Sequence, residues 1–169
     1  VHSGRNSLNS ILAEAKPDVV FHLASLYLPS HAYEDIASLV ESNVTFGTLL
    51  AEAMVKNGCC RLVNTGTSWQ HYHDKQYSPV NLYAASKQAF DDMLQYYREA
   101  RGLKVIELQL FDTYGNDDFR KKLLKLLKDC LNSGSGLAMS PGEQLLNLVH
   151  IDDVVAAFYL AGGYLLAGE

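Results

Sequence analysis

Pro17-Asp18-Val19-Val20-Phe21-His22-Leu23-Ala24 sets the fold of this chain. The run is short and apolar and is opened by a turn-forming Pro-Asp pair, as expected for a strand buried on both sheet faces. A long helical pattern follows from Tyr33 to Lys56, and Asn57-Gly58 closes it with residues that tolerate a left-handed C-cap. Arg61-Leu62-Val63-Asn64-Thr65 is a second strand. Residues 81–101 are helical again and stop at Gly102, and Lys104 to Phe111 alternates and branches as a third strand does. An amphipathic helix spans 118–131, and Asn132-Ser133-Gly134-Ser135-Gly136 is a loop. Leu145 to Val149 is a short strand, and Asp152-Asp153 puts acidic groups at the positive end of a last apolar helix. The order is β-α-β-α-β-α with elements appended. Strands separated by helices run parallel, joined by right-handed crossovers and covered on both faces. The sequence predicts an α/β fold with a doubly wound parallel sheet, in one domain over 1–169.

Composition agrees and excludes several classes of function. The 169 residues are 48% hydrophobic and 20% charged, enough apolar material to bury a core without disulfide or metal staples. A net charge of -5 argues against a phosphate-neutralising face, so no nucleic-acid partner is expected. No stretch approaches the roughly 20 apolar residues of a membrane span, and the start lacks a signal-peptide pattern. Three cysteines, two of them adjacent (Cys59, Cys60), make no disulfide framework and no zinc pair, so a cytoplasmic setting is expected. His71 and His73 alternate beside Tyr72 and Asp74, but no third ligand has matching spacing, so no metal is expected.

Tyr83-Ala84-Ala85-Ser86-Lys87 carries the chemistry. Positions four apart share one helical face, so the phenol and the ammonium can serve one site. A free tyrosine titrates near 10, too high for acid–base work at neutral pH, and a neighbouring Lys⁺ favours the phenolate. Upstream, Leu62-Val63-Asn64-Thr65-Gly66-Thr67-Ser68-Trp69 is a strand ending in hydroxyls. In open α/β sheets, ligands bind beyond the carboxyl ends of strands, where these hydroxyls emerge. A polar turn capping a short helix would leave the same trace.

Together these segments resemble an extended short-chain dehydrogenase/reductase of the NAD-dependent epimerase/dehydratase family, which acts on nucleotide sugars. The matching pieces are Pro17 to Ser25, Asn43-Val44-Thr45-Phe46-Gly47-Thr48, the hydroxyl-rich turn and Tyr83 to Lys87. Leu110-Phe111-Asp112-Thr113-Tyr114-Gly115 and Val149-His150-Ile151-Asp152-Asp153-Val154 complete them, in the family's order. The resemblance implies a Rossmann-like fold, here the second half of the dinucleotide-binding domain plus the start of the substrate-binding region, with 112–150 on the substrate side. It implies Tyr83 as general acid/base and Lys87 as the residue that tunes it and holds the nicotinamide ribose. His22, Ala24 and Ser25 would line the cofactor cleft, and Asn43 would brace the neighbouring strand end. A gapless match puts Gly66 at the family's catalytic Ser/Thr, so the hydroxyl comes from Thr67 or Thr65. Asp112 stands where the family often has an asparagine on the sugar nucleotide, and Arg120 suits a substrate diphosphate.

Two departures sharpen the expectation. The glycine-rich phosphate turn, and the residue that separates NAD from NADP, normally precede the segment that opens this chain; an N-terminally truncated piece is expected. Thr67 is followed by Ser68-Trp69 rather than the Asp-Glu pair of 4,6-dehydratases, which disfavours dehydration. The expected activity is that of a nucleotide-sugar 4-ketoreductase with NAD or NADP, serving deoxysugar and polysaccharide synthesis. A 4-epimerase and a non-catalytic structural fragment are the alternatives. The family forms two-fold dimers through the helices near 35–57 and 82–100, so a homodimer is expected. Apolar residues recur on both: Ile36, Leu39, Val40, Leu50, Met54 and Val55, then Phe90, Met93, Leu94 and Tyr97.

Overall fold

The computed structural model describes residues 3–116, 118, 120, 122–143 and 145–168. They form two compact units, Val1–Leu110 with Ala157–Glu169, and Phe111–Ala156. In the first unit, helix α1 (Ser3–Ala15) leads into β1 (Val20–His22). The helical stretch Tyr33–Lys56 follows, then β2 (Arg61–Thr67), α4 (Leu82–Arg101) and β3 (Lys104–Leu110). The three strands form one parallel sheet in the order β1-β2-β3, with Phe21 paired to Val63 and Asn64 to Glu107. Parallel pairing through helical crossovers is the α/β architecture that the order of elements predicts.

The strand period of two sorts side chains between the faces. Leu62 joins a buried cluster with Leu50, Met54, Phe90, Leu94 and Tyr97, contributed by α4 and by α3 (Phe46–Lys56). Phe21 projects to the other face, where its ring lies 6.3 Å from Phe158 of α6 (Ile151–Ala167). Arg61 Nε donates to Leu165 O at 2.9 Å on that same side. Helices therefore cover both faces.

The helix read as continuous from Tyr33 to Lys56 is broken. A 3-10 turn (Tyr33–Asp35) precedes α2 (Ile36–Val40), and a π turn (Glu41–Thr45) separates α2 from α3. A π turn inserts one extra residue and typically marks a functional position. Here it brings Asn43, 1% exposed, to the loop after β1 and to α4. Tertiary hydrogen bonds outweigh the local helical pattern.

Three further differences have local causes. Helix α1 contributes Leu12 to the core and has no counterpart in the sequence reading. Most of the apolar residues expected on the outer faces of the dimer helices are in the core: Leu39, Met54, Phe90 and Leu94 are fully buried, and Leu50 and Tyr97 nearly so. In the second unit, β4 (Asp112–Tyr114) pairs in parallel with β5 (Leu148–His150). There the helix expected over 118–131 is α5, Leu123–Ser133. Asp118 Oδ1 accepts from both the backbone N–H and Nε of Arg120, a local arrangement that competes with helix formation. The same guanidinium holds the Asp118 carboxyl below its ordinary range. Phe119 and Lys121, within the stretch expected as that helix, lie outside the described residues.

Gly47 packs flat against the Phe90 ring: a Cβ there would sit 2.6 Å from Phe90 Cε2. Phe90 is fully buried and has no room to retreat. Gly47→Ala should cost about 1–3 kcal/mol by overpacking. A urea denaturation midpoint unchanged from the parent would contradict this packing.

Candidate active site

The Asn43 amide joins three segments. Its Oδ1 accepts from Leu26 N at 2.8 Å and from Ser25 Oγ at 3.2 Å. Its Nδ2 donates to Leu26 O and to Ser86 Oγ, both at 3.0 Å. Ser86 Oγ in turn donates to Tyr83 O at 2.7 Å. The loop after β1 is thereby fixed against the first turns of α4. Asn81 caps that helix, accepting from Ala84 N at 2.9 Å, and holds the loop again through Nδ2 to Pro29 O at 3.1 Å.

Tyr83 and Lys87 sit one turn apart on α4, at the carboxyl end of the sheet. The Tyr83 ring meets Tyr27 edge-on at 5.0 Å, and Tyr27 meets Trp69 at 5.9 Å. Burial pushes the Tyr83 phenol above its ordinary value; the neighbouring Ser25 hydroxyl opposes this and Tyr27 adds to it. The depression expected from Lys87 is not found. The ammonium is itself buried, 2% exposed, and burial brings it from 10.5 to about 8 while Glu107 pulls it back up. The Lys87 side chain makes no hydrogen bond among the described residues.

The hydroxyls at the end of β2 differ in what they have left to give. Thr65 Oγ1 donates to His22 O at 3.0 Å, so its proton is used. Thr67 Oγ1 accepts from Trp69 N at 3.3 Å, capping the 3-10 turn Ser68–Gln70, and keeps its own proton. Strand alternation puts Gly66 on the α4 side with Asn64, and Thr65 and Thr67 on the other.

His22 is buried rather than open to a cleft. Its ring packs between Phe46 and Phe90, and Nδ1 meets Asn64 Oδ1 at 3.0 Å. Burial holds the imidazole below its ordinary value, so it is neutral. Ala24 and Ser25 are exposed beyond β1. Both His71 ring nitrogens are engaged, by Gln76 O at 2.6 Å and by Gln109 Nε2 at 2.7 Å.

Asp112 and Arg120 belong to the second unit. There Arg120 Nη2 reaches Asp118 Oδ2 at 2.7 Å and Thr113 Oγ1 at 3.4 Å. A cavity of about 410 Å³ in this unit is lined by Tyr114, Lys122, Lys125, Lys128 and His150. Lys122, Lys125 and Lys128 were not singled out as site residues from the sequence. Their i, i+3 spacing along one helix face was the available signal.

Two residues the sequence reading missed complete the first unit's polar layer. Glu107 Oε2 accepts from Asn64 Nδ2 at 3.4 Å. Burial, reinforced by the Asp91 carboxyl, raises Glu107 from 4.5 to about 7. The signal was a lone carboxylate in the middle of an otherwise apolar strand.

A lysine whose folded-state value is depressed destabilises the fold wherever it is charged. The penalty is complete below about pH 8, shrinks as pH rises, and vanishes above 10.5. Lys87→Met should therefore raise stability at pH 7 by roughly 3 kcal/mol at most, and the gain should fade toward pH 10.5. Parallel melts of parent and variant across that window check it; a gain independent of pH would contradict the assigned cause.

The sequence profile of the NAD dependent epimerase/dehydratase family matches residues 3–164. Among curated relatives, the CDP-abequose synthase of Yersinia pseudotuberculosis is 32% identical over 152 residues, 89% of this chain and 53% of that protein. The UDP-glucose 4-epimerase of Mycolicibacterium smegmatis is 28% identical, over 92% of this chain and 54% of its own length. Among solved structures, the UDP-glucose 4-epimerase of Thermotoga maritima superposes with a TM-score of 0.82 at 22% identity, covering 93% of this chain and 55% of that one. MoeE5, in complex with UDP-glucose and NAD, gives 0.78 at 26% identity over 94% and 56%. The chain spans about half the length of the curated relatives it matches. With six ordered segments, the parallel sheet and the Tyr83–Lys87 helix in agreement, the chain belongs to the NAD-dependent epimerase/dehydratase family.

Proposed function

We propose that the full-length protein is a nucleotide-sugar 4-ketoreductase using NAD or NADP, and that this chain carries its acid–base residues. The observation that carries the proposal is the Tyr83–Lys87 pair, one turn apart at the start of α4 and at the carboxyl end of a parallel sheet. The residues fit a dinucleotide. Exposed, small Ala24 and Ser25 follow β1, and the Lys87 ammonium has donors unspent within the described residues, suited to ribose hydroxyls.

A nicotinamide bound there would supply hydride exchange with a sugar carbon. Tyr83 Oη holds the proton that the sugar oxygen gains on reduction. Burial keeps this phenol protonated at neutral pH, which suits donation to a developing alkoxide. Lys87 supplies positive charge one turn below. Thr67 is the hydroxyl with a proton to offer the carbonyl, Thr65 having spent its own. Asp112 and Arg120, with the rest of 112–150, form the substrate side. The first substrate to try is a CDP-linked keto sugar, because a relative with 32% identity is a CDP-abequose synthase. A 4-epimerase is the second reading, supported by the 28% identical UDP-glucose 4-epimerase.

In the full-length protein, loss of reduced-nicotinamide absorbance with CDP-, UDP- or dTDP-linked 4-keto sugars is expected. Sugar isomerisation without net cofactor turnover would favour the epimerase instead. Tyr83→Phe keeps the ring that packs on Tyr27 and should lower turnover about 10²-fold or more. A folded Tyr83→Phe protein with near-parental turnover would reject the site.

The protein is also proposed to be a homodimer through α2 and α4. Ile36, Val40, Met93 and Tyr96 are exposed on those helices, 37–53% of each. An isologous interface makes one charged substitution act twice. Met93→Glu should convert a dimer to a monomer in light scattering; a parental protein already monomeric at tens of micromolar, well above the Kd of a stable dimer, would remove the proposal.

A further inference from the structure

Glu107 is half-buried in the site's polar layer, with its Oε1 enclosed, and the chemistry assigned above makes no use of it. Strand register sets it opposite Asn64, on the face that looks at α4. Its Oε2 accepts from Asn64, while Oε1 is buried with no hydrogen-bond donor among the described residues. A side chain added at Gly66 would overlap Oε1 directly. The Glu107 carboxyl thus fills the space into which residue 66 would project. That position lies on the α4 side of β2, the side on which Lys87 is buried.

The groups around this carboxyl are few. Asn64 and Gly66 face it from β2, and Asp91 and Lys87 from α4. Asp91 is itself tied to Arg98 at 3.1 Å. Gln70 Oε1 lies 3.1 Å from the same point above Gly66, but is occupied by Thr67 N at 2.8 Å. His22 is one step away through Asn64 and is neutral. Among the described residues, Lys87 is therefore the cation that Glu107 faces. The two interact electrostatically without closing into a direct ion pair.

We propose that Glu107 is a positioning residue of this site: seated in the space of the absent residue-66 side chain, it supplies the negative charge that keeps buried Lys87 an ammonium. Positions 66 and 107 then form one exchangeable pair. The proposal rests on the Tyr83–Lys87 site assigned above. A carboxylate placed mid-strand in an apolar sheet is expensive unless a partner uses its charge. Around pH 7 to 8 Glu107 is the acid that begins to ionise where Lys87 begins to lose its proton. Each therefore moves the other toward its charged form.

Two measurements on the purified full-length protein test this without using turnover. In the first, the Cε carbon-13 shift of Lys87 is followed against pH. Glu107→Gln keeps the size and the Asn64 contact but removes the charge, so the Lys87 midpoint should fall by about one pH unit. A structural residue would leave it where it is in the parent, and an unmoved midpoint overturns the proposal. In the second, melting temperatures are compared for Gly66→Ser, Glu107→Ala and the double variant. Gly66→Ser alone should melt at least about 5 °C lower, because its side chain meets the carboxyl. Glu107→Ala in the same chain should recover most of that loss. Additive losses would show that the two positions do not share one space and would also overturn it. Retained turnover in Tyr83→Phe would reject the site itself, a result separate from both.

Discussion

Asn43 uses every hydrogen-bonding capacity of its side chain, two donors and two acceptor lone pairs, on the loop after β1 and on α4. Two of the four bonds go to the N–H and C=O of one residue, Leu26, as a neighbouring strand would make them. The others reach Ser25, in the loop whose Tyr27 meets the Tyr83 ring, and Ser86, which is bonded to Tyr83 O and next to Lys87 in sequence. A regular helix through 41–45 would rotate residue 43 away from one partner or another, and the π turn supplies the missing residue. Each bond is worth little by itself, but an unpaired group in a site this dry costs about 1–3 kcal/mol. The loop that meets the phenol and the helix that carries it are registered by one amide.

Above the apolar cluster of Leu62, Phe90 and Leu94 the interior changes character. His22, Asn64 and Glu107, joined by hydrogen bonds, form a polar layer with buried Lys87 at the carboxyl end of the sheet. Burial acts on its members in opposite directions. It lowers Lys87 and His22 and raises Glu107, so that lysine and glutamate approach neutrality from either side. Perturbation of this kind, by desolvation plus a specific partner, concentrates at functional sites. The imidazole has another role: its ring packs tilted against Phe46 and edge-on to Phe90, and its Nδ1–H fixes Asn64, whose amide is thereby oriented to donate to Glu107.

The strands and helices of the first unit were legible because their patterns are long or their stops are strong. Pro17-Asp18 opens β1, and Gly58 and Gly102 end their helices at φ of +73° and +71°. The Tyr83–Lys87 pair was legible from helical spacing. What periodicity hid were features made by long-range contacts. The π turn is specified by Leu26 and Ser86, which are 17 and 43 residues away from Asn43. The burial of Tyr83, which raises its phenol where Lys87 was expected to lower it, depends on how deeply α4 sits. Glu107 stood in plain view as a charge in an apolar strand, and only the register against Asn64 gives it a partner. In the second unit, a local Asp118–Arg120 fork displaced the helix start, a competition that hydrophobic spacing does not record.

Two glycines with ordinary backbone angles make the depth of α4 and the polar layer compatible. At Gly47 the absent Cβ admits the Phe90 ring, and at Gly66 it admits the Glu107 carboxyl. Neither position needs a left-handed conformation, so their demand is steric, unlike that of Gly58, Gly102 and Gly134 at the helix ends. Phe90 lies one turn beyond Ser86 and Lys87 on α4. A larger residue at 47 would lift that helix and carry Lys87 away from the sheet. A larger residue at 66 would push Glu107 from the other side. The distance between ammonium and carboxylate is therefore bounded from both directions by two residues that contribute no side chain of their own.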